Sequence, residues 1–203
     1  AIIPGAVTLA LFSRDFIYAW TGSDDIAQRT GVVAALLVCG QLSQALTAVP
    51  YYLALAHGNV RLLLAVNLSG LILFVPLLYG LIRRYGLMGG GVAWLAMNLI
   101  TVTPYMYFLH RRLLPGQGTK WFLSGVVRPL AATIPCASAG YWFLPRLSSR
   151  ILTFGKIGLV FAVASVATVL SSSELRRESR RYLKTITLML GKILQRKQLF
   201  GDN

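Results

Sequence analysis

The chain has 203 residues, 56% of them hydrophobic and 13% charged, where a soluble domain carries about 25% charge. Twenty Lys and Arg stand against six Asp and Glu, a formal net charge of +14. The basic residues flank apolar runs or sit in the tail, so anionic lipid head groups are their expected partner; no soluble basic fold or recognition motif supports nucleic-acid binding.

The first element, AIIPGAVTLALF at 1–12, is apolar but too short to cross a hydrocarbon core of roughly 30 Å, which takes about 20 helical residues. With no initiator Met, basic n-region or cleavage signature, it reads as the second half of a span whose beginning is missing. The segment 13–30, with Arg14, Asp15, Asp24, Asp25 and Arg29, reads as a loop. From 31 to 109 the chain is almost one apolar ribbon, broken only at AHGNVR (56–61) and RRYGLMGGG (83–91). The breaks are too short to hold a domain, so the spans 31–56, 61–82 and 87–109 are antiparallel neighbours. Two further spans are expected at 122–144 and 151–171. All should be helical, because unpaired backbone amides in lipid cost several kcal/mol and no alternating pattern suggests a barrel.

Pro50, Pro76, Pro104 and Pro135 fall inside these spans, where membrane helices tolerate proline as a kink. Gly86, Gly89, Gly90 and Gly91, with Ala93 and Ala96, allow close helix approach. Cys39 and Cys136 lie in apolar runs without CxxC spacing and read as packing residues. Residues 172–203 form a basic tail. Ser171 and Glu174 have capping-box spacing, and Leu175, Tyr182, Ile186, Met189, Leu190 and Ile193 can share one stripe of an amphipathic surface helix.

The fold class is therefore an all-α polytopic membrane bundle. It has about five complete transmembrane helices in a lobe at 1–171, a truncated first helix, and the tail helix at 172–203. Orientation rests on Lys and Arg. Arg14, Arg29, Arg83, Arg84, Arg146 and Arg150 fall on one side, and Arg61, Arg111, Arg112 and Lys120 on the other. The loops alone do not decide; the tail adds eight basic residues to the second side and makes it cytoplasmic.

Little in the chain can do covalent chemistry. His57 and His110 lie at span ends, and no complete span contains an acidic residue. A Ser/His/Asp set, paired carboxylates, a metal cluster and a phosphate-binding GxxxxGK[ST] loop all lack their components, so neither an enzyme nor a cofactor is expected. The same lack of buried carboxylates weakens cation export, and leaves an anionic cargo open.

The remaining candidates are polar or cationic. Gln41 and Gln44 share one face of their span, and Asn67 and Asn98 lie in the next two. Amides facing lipid are unfavourable, so all four should point inward, either to bond between helices or to touch a ligand. Arg61, Arg128 and Lys156 sit at or inside span limits. Each either snorkels or faces a water-filled cavity, where Arg128 in particular could pair with a phosphate or pyrophosphate.

The run from Pro50 to Trp94, PYYLALAHGNVRLLLAVNLSGLILFVPLLYGLIRRYGLMGGGVAW, resembles the Wzx-type polysaccharide and O-antigen flippases of the multidrug/oligosaccharidyl-lipid/polysaccharide exporter superfamily. LFSRDFIYAWTGSDD upstream looks like that family's seventh span and its aromatic-Trp-Gly end. The order and spacing of these elements carry the resemblance, over roughly residues 1–145. It implies two six-helix lobes in the bacterial cytoplasmic membrane, both termini cytoplasmic, with this chain as the C-terminal lobe. It also implies movement of an undecaprenyl-pyrophosphate-linked oligosaccharide across the membrane by alternating access, through a cationic cavity. The implied partners are membrane lipids, that lipid-linked cargo, the N-terminal half of the same protein and polysaccharide assembly proteins. A drug/cation antiporter of the same superfamily and a non-transporting membrane scaffold are the alternatives.

Overall fold

A computed structural model describes residues 2–58, 60–112, 122–144 and 149–171. The tail, with its expected capping box and amphipathic stripe, lies outside the described residues. Every described element is helical: α1 (Ile2–Leu11), α2 (Ser13–Thr21), α3 (Asp24–Leu46), α4 (Ala48–Ala56), α5 (Val60–Tyr85), α6 (Leu87–Arg112), a π-helical turn (Leu123–Val127) leading into α7 (Arg128–Phe143), and α8 (Arg150–Ser171). Three helices are long and apolar enough to cross a membrane: α3, α5 over Leu63–Tyr85, and α8. The pair α1 and α2 reaches that length together, but bends by 77° at its joint.

The expected loop 13–30 is instead helical over most of its length. α2 ends at Gly22, whose φ of +76° suits a residue without a Cβ, and its N–H caps the Tyr18 carbonyl. α3 then starts at once: Ser23 Oγ accepts from the Ile26 N–H at 3.4 Å, and Asp24 and Asp25 occupy the positive end of the helix. Four of the five charged residues here are held in helix-surface pairs, Arg29 to Asp25 at 2.9 Å and Arg14 to Asp24 at 3.0 Å. Gly31 lets α2 and α3 touch, since a Cβ there would stand 3.0 Å from Arg14 Cβ.

The apolar run 31–56 is divided between two helices. Pro50 has no N–H to offer the Leu46 carbonyl, and the chain yields at Thr47, whose N–H and Oγ1 both turn back to the Gln44 carbonyl. α5 and α6 form an antiparallel hairpin around Gly86, where φ is +58°. A Cβ at Gly89 would run into the Leu81 carbonyl, which explains the glycine at that position. α6 lies parallel to α3: Gly91 faces Val33 and Leu36, while Gly40 faces Trp94 and Asn98.

α7 and α8 are antiparallel, with Gly140 against Val160 and a buried hydrogen bond of 2.8 Å between Thr133 Oγ1 and Thr168 Oγ1. Pro129 also explains the π turn. Its ring excludes the carbonyl four residues back, and the Arg128 N–H reaches five residues back to Leu123 O. Where α1, α7 and α8 meet, Phe12 is fully buried beside Ala137 and Val160, with its ring edge-on to Tyr141 at 5.6 Å. Arg150, at the head of α8, donates to the Ala19 and Trp20 carbonyls at 2.9 and 2.6 Å, so it satisfies the open end of α2. Cys136 is half-buried, but Cys39 is exposed on α3 rather than packed inside.

Candidate functional site

A cavity of about 550 Å³ lies between α3, α4, α5 and α6, well within the roughly 300–1,000 Å³ range of small-molecule sites. α4, which follows α3 after the single residue Thr47, contributes Tyr51 and Tyr52 to its lining. Gln41, Gln44, Asn67 and Asn98 all line it, so four of the seven sequence candidates, drawn from three helices, share one wall.

Interhelical bonding, one of the two roles open to these amides, is not what they do. Asn98, 8% exposed, donates its amide to the Trp94 carbonyl in its own helix at 2.8 Å. Its carbonyl oxygen takes no protein donor among the described residues. Gln41, Gln44 and Asn67 make no side-chain hydrogen bond among the described residues. The neighbouring hydroxyls behave differently: Ser43, Thr47, Ser69 and Thr101 each donate to a carbonyl three or four residues back. Hydroxyls can satisfy themselves on their own helix, whereas a free carboxamide keeps two donors and an acceptor for something else. The amides are thus the open hydrogen-bonding capacity of this wall.

Aromatic residues that sequence reasoning passed over complete the lining: Tyr51, Tyr52, Phe74 and Trp94. Trp94 is held edge-on to Phe74 at 6.0 Å and lies against Gly40 closely enough that a Cβ there would come within 2.5 Å of its Cδ1. The signal in the sequence was the pairing of Pro50 with the YY that follows it.

The three cations do not join the amides. Arg61 is exposed on the first turn of α5. It is six residues before Asn67, hence about 9 Å away along the axis and on another face. Arg128 is exposed at the head of α7 and has no ionic or hydrogen-bonding partner among the described residues. Lys156 is buried, and its Nζ lies 3.2 Å from Asp15 Oδ2 and 5.1 Å from the centre of the Phe12 ring. It is committed to an internal ion pair rather than snorkelling from a span end. Asp15, expected in a loop, is the carboxylate that sequence reasoning missed. None of the residues lining the cavity carries a charge.

Comparison of the chain with protein-family models, with curated proteins and with solved structures finds no match.

Proposed function

We propose that the chain is a lobe of a membrane transporter that moves a lipid-linked oligosaccharide, a polysaccharide or O-antigen precursor, across the bacterial cytoplasmic membrane by alternating access. The observation that carries this reading is the set of amides without interhelical partners in a cavity between α4, α6 and two helices of membrane-crossing length, α3 and α5. Polar groups kept free at such a place are costly unless a ligand or water uses them. α5 supports it further, with large apolar side chains such as Leu64, Leu68, Ile72 and Tyr79 exposed around it. Such an apolar helix suits lipid or a second lobe, as the flippase resemblance implies. The eight basic residues of the tail support a cytoplasmic location for that end of the chain.

The antiporter alternative requires a carboxylate facing the cargo, and the described lining residues include none. A scaffold has no use for free amides around a cavity.

The test is reconstitution of the full-length protein in liposomes carrying a polyprenyl-pyrophosphate-linked oligosaccharide in the inner leaflet. Exposure of the glycan to an enzyme confined outside is then followed. Transport is expected with the protein and not with empty liposomes. Equal exposure in both would refute the transporter reading.

A further inference from the structure

The charge of the cavity carries the reading one step further. A pyrophosphate is strongly anionic, and where it leaves water it is bound by Arg, Lys, metal ions or a cluster of backbone N–H groups. The wall of this cavity has none of these side chains, and nearly all of its residues lie within helices, whose N–H groups past the first turn are bonded along the helix. It offers instead carboxamides on α3, α5 and α6 and aromatic faces on α4, α5 and α6. Gln41 and Gln44 come from α3, Asn67 from α5 and Asn98 from α6, with Tyr52 and Trp94 beside them.

That set matches one class of chemistry. Carboxamides donate and accept within the same group, as sugar hydroxyls and acetamido groups do, so both partners can be satisfied without any net charge. The negative face of an aromatic ring suits the C–H face of a pyranose. Asn98 strengthens the match because its nitrogen is already bound to Trp94 O at 2.8 Å, which leaves a fixed acceptor pointing its need at a donor such as a hydroxyl.

Resting on the transporter reading above, we propose that the cavity is a subsite for the uncharged glycan of the cargo, and that the pyrophosphate is held elsewhere in the protein. The division has a mechanical consequence. A site that held the anion tightly would have to release it at each turnover, whereas several neutral hydrogen bonds and a stacking contact exchange readily with water.

The experiment measures binding to the full-length protein in nanodiscs with two probes. One is a polyprenyl pyrophosphate bearing a neutral oligosaccharide of hexose and N-acetylhexosamine units; the other is the same lipid pyrophosphate with the glycan removed. The wild type should hold the glycan-bearing probe at least about tenfold more tightly, and the triple variant Gln41→Ala/Gln44→Ala/Asn67→Ala should lose that difference while keeping its affinity for the bare lipid. These three side chains are exposed and unpaired, so their removal leaves helix packing intact; an unchanged melting temperature verifies it. Equal binding of the two probes by the wild type overturns the proposal. So does a triple variant that retains the preference, or one that weakens both probes alike. If binding follows the expected pattern but liposomes show no transport, the transporter reading fails and the glycan subsite stands.

Discussion

Lys156 and Asp15, 141 residues apart in sequence, form an ion pair of 3.2 Å with side chains only 5% and 14% exposed. The pair ties α8 to α2 immediately past the 77° bend, and Arg150 on α8 holds the far end of the same short helix. α2 is thus fastened at both ends to α8. Removing one partner of a buried pair leaves an uncompensated charge and costs about 3–5 kcal/mol, while an apolar pair of similar volume is often neutral. Asp15→Ala should therefore lower the melting temperature of the protein in nanodiscs sharply, and Asp15→Leu/Lys156→Met should restore most of it. A double variant as unstable as the single one would show that the pair is required for more than charge balance.

How far the sequence led can be seen at particular residues. The helical architecture was legible because apolar runs with short breaks leave few other solutions, and the glycines at 86–91 announced the tight hairpin they form. The four amides stood out by their isolation in apolar runs, and the structure puts them in the lining of one cavity. Charge misled the reading of 13–30: five ionised residues suggested a loop, although Ser23 followed by two acidic residues is a helix start and Thr21–Gly22 a helix end. Asp15 and Lys156 could not be paired from sequence, since their contact depends on how α2 folds back after Phe12. The cavity itself was hidden for the same reason. Pro50 signalled a kink, but which helices Tyr51 and Tyr52 would then face is a tertiary property.

Gly40 sets the distance between α3 and α6. An added methyl group would stand 2.5 Å from Trp94 Cδ1 and 3.4 Å from Asn98 Nδ2, so either the indole moves into the cavity or the helices part. Gly40→Ala should cost about 1–3 kcal/mol, the usual range for overpacking, and Gly40→Val more. With Trp94 as the sole remaining tryptophan, its emission should shift in the Ala variant. Unaltered stability and emission together would mean that the α3–α6 contact is looser than its geometry.

The hydrogen bond between Thr133 and Thr168 is a contained case. Thr133 Oγ1 lies 2.7 Å from the Pro129 carbonyl, Thr168 Oγ1 lies 2.8 Å from the Ala164 carbonyl, and the two hydroxyls are 2.8 Å apart. Two protons serve three contacts, so whichever hydroxyl donates to the other gives up its bond to the carbonyl of its own helix. The coupling energy in a double-mutant cycle with Thr133→Val and Thr168→Val should accordingly be small, near the average of about 0.6 kcal/mol for interhelical bonds in membrane proteins. A coupling several times larger would identify this contact as the main tie between α7 and α8.

Arg128 lies off the wall of the proposed glycan subsite. It is exposed, without a partner among the described residues, and placed by the π turn at the head of α7 rather than on the cavity wall. Replacing it should barely alter stability, within about 0.5 kcal/mol as for other surface positions. If it meets the pyrophosphate, Arg128→Ala should weaken the bare and the glycan-bearing lipid by the same factor, the reverse of the pattern expected for the cavity amides. Arg128→Lys should recover only part of that loss, because an ammonium keeps the charge but not the bidentate fork. Unchanged affinity for both lipids in a well-inserted Arg128→Ala protein would leave the arginine a snorkelling residue and move the search for the phosphate site to another cation.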